Sequence, residues 1–337
     1  MMKKGMKNVI FCAFVVCFST TIFTATANSE TINLKLSHHM PVVSEQHTKI
    51  LKPWADKIEE LSGGKLKFTI YPAGALGNPT VQYDILLKNI TDIAFVVHHY
   101  EGGVFPLTEV MRLPFVSDSG KAGSANLWTI YHKYTQMQKE YEKMKVLWLF
   151  SSAPTQIQTT KKQVKTLEDL KGMKIRSLGR DVTDVLKMLK AVPVNMPITD
   201  LYTALERGTV DGMTLPWEVM RPFKLFEVSK YTTVVNIFPV TFGVFMNKKK
   251  WESLPPDIQK LIDDNIGEEQ WVLSGQRMDE ADQGSRAFCV EKGDKVYTLP
   301  EQERARWKEA VKPHLDQWVK KVEAKGLPGK EVLAEVF

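Results

Sequence analysis

The chain has 337 residues and a formal net charge of +6, from 45 Lys and Arg against 39 Asp and Glu. That length exceeds one comfortable hydrophobic core, so two lobes are expected. The mild charge gives no footprint for nucleic acid, and three cysteines are too few for a disulfide-built scaffold.

Residues 1–27 read as a secretory signal peptide. Lys3, Lys4 and Lys7 form its basic region, Val9 to Phe18 its apolar run, and Ala25-Thr26-Ala27 a small-residue site. Cleavage is expected before Asn28. The apolar run is too short to span a bilayer comfortably, and Val16 disfavours a lipoprotein reading through Cys17. Losing the leader removes three lysines and no acids, lowering the charge from +6 to +3. Cys12 and Cys17 leave with it. Cys289 is then the lone thiol, expected to be buried, with no intramolecular disulfide and no cysteine metal site.

Ile32, Leu34 and Leu36 alternate as a first strand ending at Ser37-His38-His39. Leu51, Trp54, Ile58 and Leu61 share one face of a helix stopped by Gly63-Gly64. A second strand carries Leu66, Phe68 and Ile70, and Val81 to Leu87 reads as a helix. Asp92 to Val97 is a buried strand running into His98-His99-Tyr100. This β-α-β-α-β order predicts an α/β lobe with a mainly parallel sheet. The pattern recurs. Strands are expected at Val146–Phe150, Gln156–Thr160 and around Arg176, then a helix with Val182, Leu186 and Leu189, and a strand at Val192–Met196. A helix at Tyr202–Leu205 leads into a strand at Val210–Leu215, and Thr241–Asn247 returns the chain to the first lobe. Ile258–Ile262, Gly267–Phe288 and Glu301–Lys325 make a long helical C-terminal region. With no linker or repeat between lobes, the chain is expected to cross several times, near Ser152–Thr155, Val240–Phe242 and Asp279–Ser285. The resulting division is 28–153 plus 242–281 for one lobe and 154–241 plus 282–337 for the other.

Ligands of open α/β sheets sit outside the carboxyl ends of the strands. That rule gathers His38, His39, His98, His99, Tyr100, Arg176 and Leu215–Trp217 around one cleft. Arg176 follows the turn residue Gly172 and has no acidic neighbour in sequence, so it is a candidate carboxylate anchor. The alternative is an arginine tying lobe to lobe. Trp217 directly follows a strand and Phe242 starts one; each offers an aromatic wall. Motifs for phosphate, dinucleotide, zinc-protease or serine-hydrolase chemistry are absent. The rival of another class is a metal carrier or enzyme using the His38-His39 and His98-His99 pairs. Adjacent strand residues point to opposite faces, so each pair offers at most one ligand, a poor metal signature. Cleft-lining hydrogen-bond donors are the preferred reading of these histidines.

Five segments occur in one order: Tyr-Pro-Ala-Gly-Ala-Leu-Gly (71–77), Phe-Pro-Leu-Thr-Glu-Val-Met-Arg-Leu-Pro-Phe (105–115), Lys-Gly-Met-Lys-Ile-Arg (171–176), Val-Asp-Gly (210–212) and Met-Asn-Lys (246–248). With this series the chain from about Leu34 onward closely resembles the DctP-like solute-binding proteins of TRAP (tripartite ATP-independent periplasmic) transporters. The resemblance implies a two-lobe α/β periplasmic binding protein that captures a small organic acid and passes it to two membrane permease subunits. It implies no catalysis and no cofactor, a periplasmic address, and a monomer. Arg176 falls where the family keeps its carboxylate-binding arginine. Members that take four-carbon dicarboxylates or sialic acid usually follow Val-Asp-Gly with Gln/Ala-Glu-Asn-Pro, whose Asn helps hold the carboxylate. Here Leu215 stands in its place, in Met213-Thr214-Leu215-Pro216. Thr155 stands where many such members carry a second arginine.

The expected ligand is therefore a monocarboxylate with an apolar or aromatic body, held by Arg176 among Trp217, Leu215, Phe242, Tyr100, Thr155 and one histidine, His39 or His99. A small dicarboxylate or sugar acid on the same arginine is the alternative.

Overall fold

The computed structural model describes residues 31–337; the leader assigned to 1–27, with Cys12 and Cys17, lies outside the described residues. Two sheets organise these residues. The first has the order β2-β1-β3-β10-β4, from β1 (Ile32–Ser37), β2 (Leu66–Tyr71), β3 (Ile93–Val97), β4 (Met144–Ser151) and β10 (Thr241–Asn247). The second has the order β11-β9-β5-β8-β6-β7, from β5 (Gln156–Thr159), β6 (Lys174–Ser177), β7 (Val192–Asn195), β8 (Gly212–Leu215), β9 (Tyr231–Val234) and β11 (Lys295–Thr298).

The first sheet pairs β2, β1 and β3 in parallel and sets β10 antiparallel between β3 and β4. Its central strands are buried on both faces, so Ile-Ala-Phe-Val-Val in β3 and Thr-Phe-Gly-Val-Phe-Met-Asn in β10 read as continuous runs rather than alternations. In the second sheet β7, β6 and β8 are parallel, β5 runs antiparallel to β8 and β9, and β11 lies parallel to β9.

The chain passes between the sheets at 152–155, where Ser152 N–H donates to Val240 C=O and Thr155 N–H to Phe238 C=O. The return at 235–240 runs alongside, so two crossings form one paired ribbon. A third connection is the helix Glu268–Glu291. It packs on β4 and on the helix Gly120–Lys133. Asp279 on this helix accepts from Gly120 N (2.6 Å) and Lys121 N (2.9 Å) in the first lobe. One turn on, Asp282 accepts from Trp217 N (2.6 Å) and Glu218 N (3.3 Å) in the second. The C-terminal helix Glu301–Glu323 also reaches both lobes: it packs on the helix Arg180–Met188, and Trp318 Nε1 donates to Pro106 C=O at 3.1 Å.

Candidate functional site

Arg176 is placed by the two motifs on either side of it in space. Gly172 adopts φ 76°, the left-handed conformation glycine tolerates, and turns the chain into β6. Asp211 of Val-Asp-Gly then clasps the strand start: its Oδ2 accepts from Lys174 N at 2.8 Å, and its own N–H donates to Lys174 C=O at 2.7 Å. At Gly212 an added Cβ would lie 2.4 Å from Gln158 C=O, so only glycine lets β8 approach β5 this closely. The motif thus holds β5, β8 and β6 in register and presents Arg176 at the carboxyl end of β6.

The Arg176 side chain is fully buried. Its Nε donates to Met196 C=O at 3.0 Å and its Nη2 to Tyr100 Oη at 3.1 Å, while Nη1 has no partner among the described residues. Burial lowers its pKa from the usual arginine value, Tyr100 acting in the opposite direction. A guanidinium held by two neutral oxygens, with an unused donor, is a buried charge short of compensation. Tyr100 lies in the turn after β3, in the first lobe. Its Oη also accepts from Ile198 N at 3.3 Å, so this phenol joins the two lobes.

Arg176 lines a small cavity between the lobes. Five residues expected at the cleft line it: Arg176, Tyr100, His39, Leu215 and Phe242. They come from the ends of β6, β3, β1 and β8 and from the start of the antiparallel β10, as the strand-end rule requires. Phe242 continues an aromatic stack, 5.2 Å from Phe95 and 5.0 Å from Phe150 between ring centroids, and His39 stacks on Phe95 at 5.6 Å. Burial lowers the His39 pKa to about 3, with His38 contributing, so the ring is neutral at physiological pH. Met40, Leu178, Ile198 and Val219 complete an apolar wall.

Three of the expected residues, Trp217, Thr155 and His99, do not line this cavity. Trp217 is buried, but Pro216 in extended conformation and the following short 3-10 turn direct Glu218 and Val219 to the cavity and Trp217 away from it. The guanidinium of Arg286 lies 5.1 Å from its ring centroid instead. Thr155 is fully buried in the crossing ribbon, its backbone bonded to Ile237 and Phe238, and does not line the cavity. His99 lines a neighbouring polar cleft with Arg112, Asp181 and His314, its Nε2 3.8 Å from Asp181 Oδ2. The remaining histidines of the pairs are spoken for. His38 Nε2 meets His47 Nδ1 at 2.9 Å, and His98 Nε2 meets Tyr141 Oη at 3.2 Å. Among the described residues no three His, Cys, Asp or Glu side chains group to hold a metal ion.

Two polar residues at the cavity had no sequence assignment. Gln46 and Glu218 are each 1% exposed, and all four of their side-chain polar atoms lack a hydrogen-bond partner among the described residues. Glu218 lies against Asp282 in a buried carboxyl pair. Burial and the neighbouring Asp282 charge raise the Glu218 pKa well above the usual carboxylate range, and burial pushes Asp282 up to about 7 despite its bonds from the Trp217 and Glu218 amides. Such a pair holds a proton near neutrality because two adjacent buried charges repel. The one signal for Glu218 in sequence is a carboxylate inside the apolar run Leu-Pro-Trp-Glu-Val-Met (215–220).

Residues 36–321 match the family model for bacterial extracellular solute-binding proteins, family 7 (DctP). Solved structures agree over nearly the whole chain. A marine metagenome TRAP solute-binding protein specific for aromatic acid ligands, in complex with metahydroxyphenylacetate, is 33% identical with a TM-score of 0.87, over 90% of this chain and 97% of that one. A TRAP solute-binding protein from Rhodoferax ferrireducens T118, in complex with copurified benzoate, is 32% identical with a TM-score of 0.87, over 91% and 96%. One from Bordetella bronchiseptica, with bound (R)- and (S)-mandelate, is 27% identical with a TM-score of 0.85, over 90% and 97%.

Proposed function

The chain belongs to the family 7 bacterial extracellular solute-binding proteins, the periplasmic receptors of TRAP transporters, and from that premise we propose that its cargo is an aromatic or similarly apolar monocarboxylate bound by Arg176. The family's members are transport receptors rather than enzymes, and they hand an organic acid to membrane permease subunits. The leader at 1–27, cleaved near Ala27, is the route to the periplasm; intact mass of the exported protein tests that position, and a mature chain starting elsewhere than Asn28 corrects it.

One observation carries the ligand class: a fully buried arginine with an unpartnered Nη1, lining a cavity whose walls are mostly apolar and aromatic. A carboxylate there gains a charge-assisted hydrogen bond and relieves the uncompensated guanidinium. The Phe242 stack and the aliphatic wall bury a ring or chain. Leu215 leaves a second carboxylate with no cation, and the nearby Glu218–Asp282 pair adds repulsion, which disfavours small dicarboxylates. The aromatic acids bound by the three relatives support the same reading.

The test is mass spectrometry of ligand released by denaturing the purified protein, with a thermal-shift panel of benzoate, phenylacetate, mandelate and indole acids against succinate and malate. Aromatic acids are expected to raise the melting temperature. Stabilisation by the dicarboxylates alone would overturn the proposal.

A further inference from the structure

Arg176 and the aromatic wall account for a carboxylate and a ring, yet they leave the other polar atoms of the cavity unexplained. Gln46 comes from the turn of helix Gln46–Leu51 that precedes Lys52–Leu61, and Glu218 from the turn after β8. They arrive from different lobes at one cavity, each 1% exposed, with Gln46 Nε2 and Oε1 and Glu218 Oε1 and Oε2 all unpartnered among the described residues. An unpartnered buried amide or carboxyl is costly. Both residues line one small cavity, and their buried, unpartnered polar groups beside it suit a polar ligand group.

We propose that Gln46 and Glu218 form a second subsite that selects a neutral hydrogen-bonding substituent, above all a hydroxyl, on the ring of the acid held by Arg176. The proposal rests on the aromatic-acid reading above and specifies its substrate class as hydroxylated aromatic monocarboxylates. A hydroxyl suits the atoms present because it both donates and accepts: Glu218 supplies an acceptor and the Gln46 amide supplies a donor. The groups facing Glu218 explain why the substituent is neutral. Asp282 lies against it from the helix Glu268–Glu291, and Asp279 adds a further negative charge from the same helix. Arg176 and the neutral His39 line the same cavity, and the arginine's charge is already matched by the ligand's carboxylate. Glu218 thus has acidic neighbours on the adjoining helix, so a second carboxylate on the ligand meets repulsion while a hydroxyl does not. A methyl group of similar size would fill the space but leave all four polar atoms unpaired, which is how a site built for a hydroxyl rejects its apolar isostere.

The experiment is calorimetry of the full mature protein with hydroxybenzoates and methylbenzoates matched at each ring position, and with benzene dicarboxylates. At the best position the hydroxy acid is expected to bind at least about tenfold tighter than its methyl isostere, and the dicarboxylates more weakly than either. In Gln46→Leu and Glu218→Leu the ratio of the two dissociation constants should fall toward one or invert. Glu218→Gln, which keeps an acceptor of the same shape, should retain the preference. Unfolding curves check that each variant is folded, and the wild-type ratio and Gln46→Leu decide the matter if Glu218→Leu is not. Equal binding of hydroxy and methyl acids by the wild type, or a preference that survives both leucine variants, overturns the subsite while leaving the aromatic-acid reading intact. Failure of every ring acid to bind removes both.

Discussion

At the residue scale, Arg176 is a charge whose surroundings in the protein are deliberately incomplete. Two of its donors are bound by neutral oxygens and Nη1 is free among the described residues. Truncating one partner of a buried charged pair costs about 2–5 kcal/mol, so Arg176→Ala should weaken ligand affinity on the order of 30- to several-thousand-fold. Its stability should not fall with it, since the guanidinium is under-compensated without ligand. Near-normal affinity by calorimetry in a folded variant would remove the anchor. His39 makes a second residue-scale prediction. Burial brings its pKa from 6.5 to about 3, so folding favours the neutral ring. Its contribution is complete above pH 6.5 and is lost as pH falls toward 3. His39→Leu should therefore lose less stability than the wild type between pH 6.5 and pH 5, by about 2 kcal/mol. Asp282 changes charge nearby, but both proteins share that contribution. Denaturant unfolding at the two pH values measures the difference, and parallel losses would contradict it.

At the element scale, the helix Glu268–Glu291, one of the connections between the lobes, carries its own positioning devices in its sequence. Asp279 and Asp282, three residues apart, clamp backbone amides of different lobes. Where this helix crosses Gly120–Lys133, a Cβ on Gly275 would lie 2.2 Å from both Gly120 C=O and Ser124 Oγ. Gly275→Ala should overpack this crossing, costing about 1–3 kcal/mol and lowering the melting temperature by several degrees. Gly284 sits on the same helix with nothing within 4 Å of an added Cβ. Gly284→Ala should be neutral or stabilising by about 0.5–1 kcal/mol, from helix propensity alone. Calorimetric melting of the pair separates crowding from propensity, and equal shifts would refute the close crossing.

At the scale of the whole molecule, the lobes meet through a small set of contacts around the cavity. Tyr100 bonds Arg176 and Ile198, and Arg112 of the first lobe pairs with Asp181 of the second at 3.1 Å with little exposure of either side chain. An added Cβ at Gly179 would be 2.3 Å from His99 C=O, so the lobes approach backbone to backbone there. Two lobes on a paired ribbon and one helix favour hinge closure. Ligand should lower the radius of gyration in small-angle scattering. Asp181→Asn, which weakens the closed contact, should reduce affinity on the order of tenfold through closure. An unchanged radius at saturation, or full affinity in Asp181→Asn, would count against closure carried by these contacts.

Local chemistry made much of this legible in the chain itself. The alternation in β1 and β2, the apolar runs of β3 and β10 and the turn glycines depend on neighbours a few residues away, and so does the motif context of Arg176. The strands β9 and β11 escaped that reading because Tyr-Thr-Thr-Val and Lys-Val-Tyr-Thr are only four residues long and carry no alternation or apolar run to mark them. The helix Gly120–Lys133 escaped it because the first half of its buried face is Gly120, Gly123 and Ser124, which allow a close crossing, and only Leu127 and Ile130 further on are apolar. The strand-end rule gathers His39, Tyr100, Leu215 and Phe242, which line one cavity, but it could not say which way a side chain turns. The turn after Pro216 decides that Glu218 and not Trp217 faces the cavity, and the paired crossing buries Thr155 away from it. Gln46 and Glu218 stand 172 positions apart in sequence, and only the approach of two lobes makes them neighbours of one cavity. What a residue can do chemically is set by its type and local context, whereas what it faces is set by packing between segments that the sequence keeps far apart.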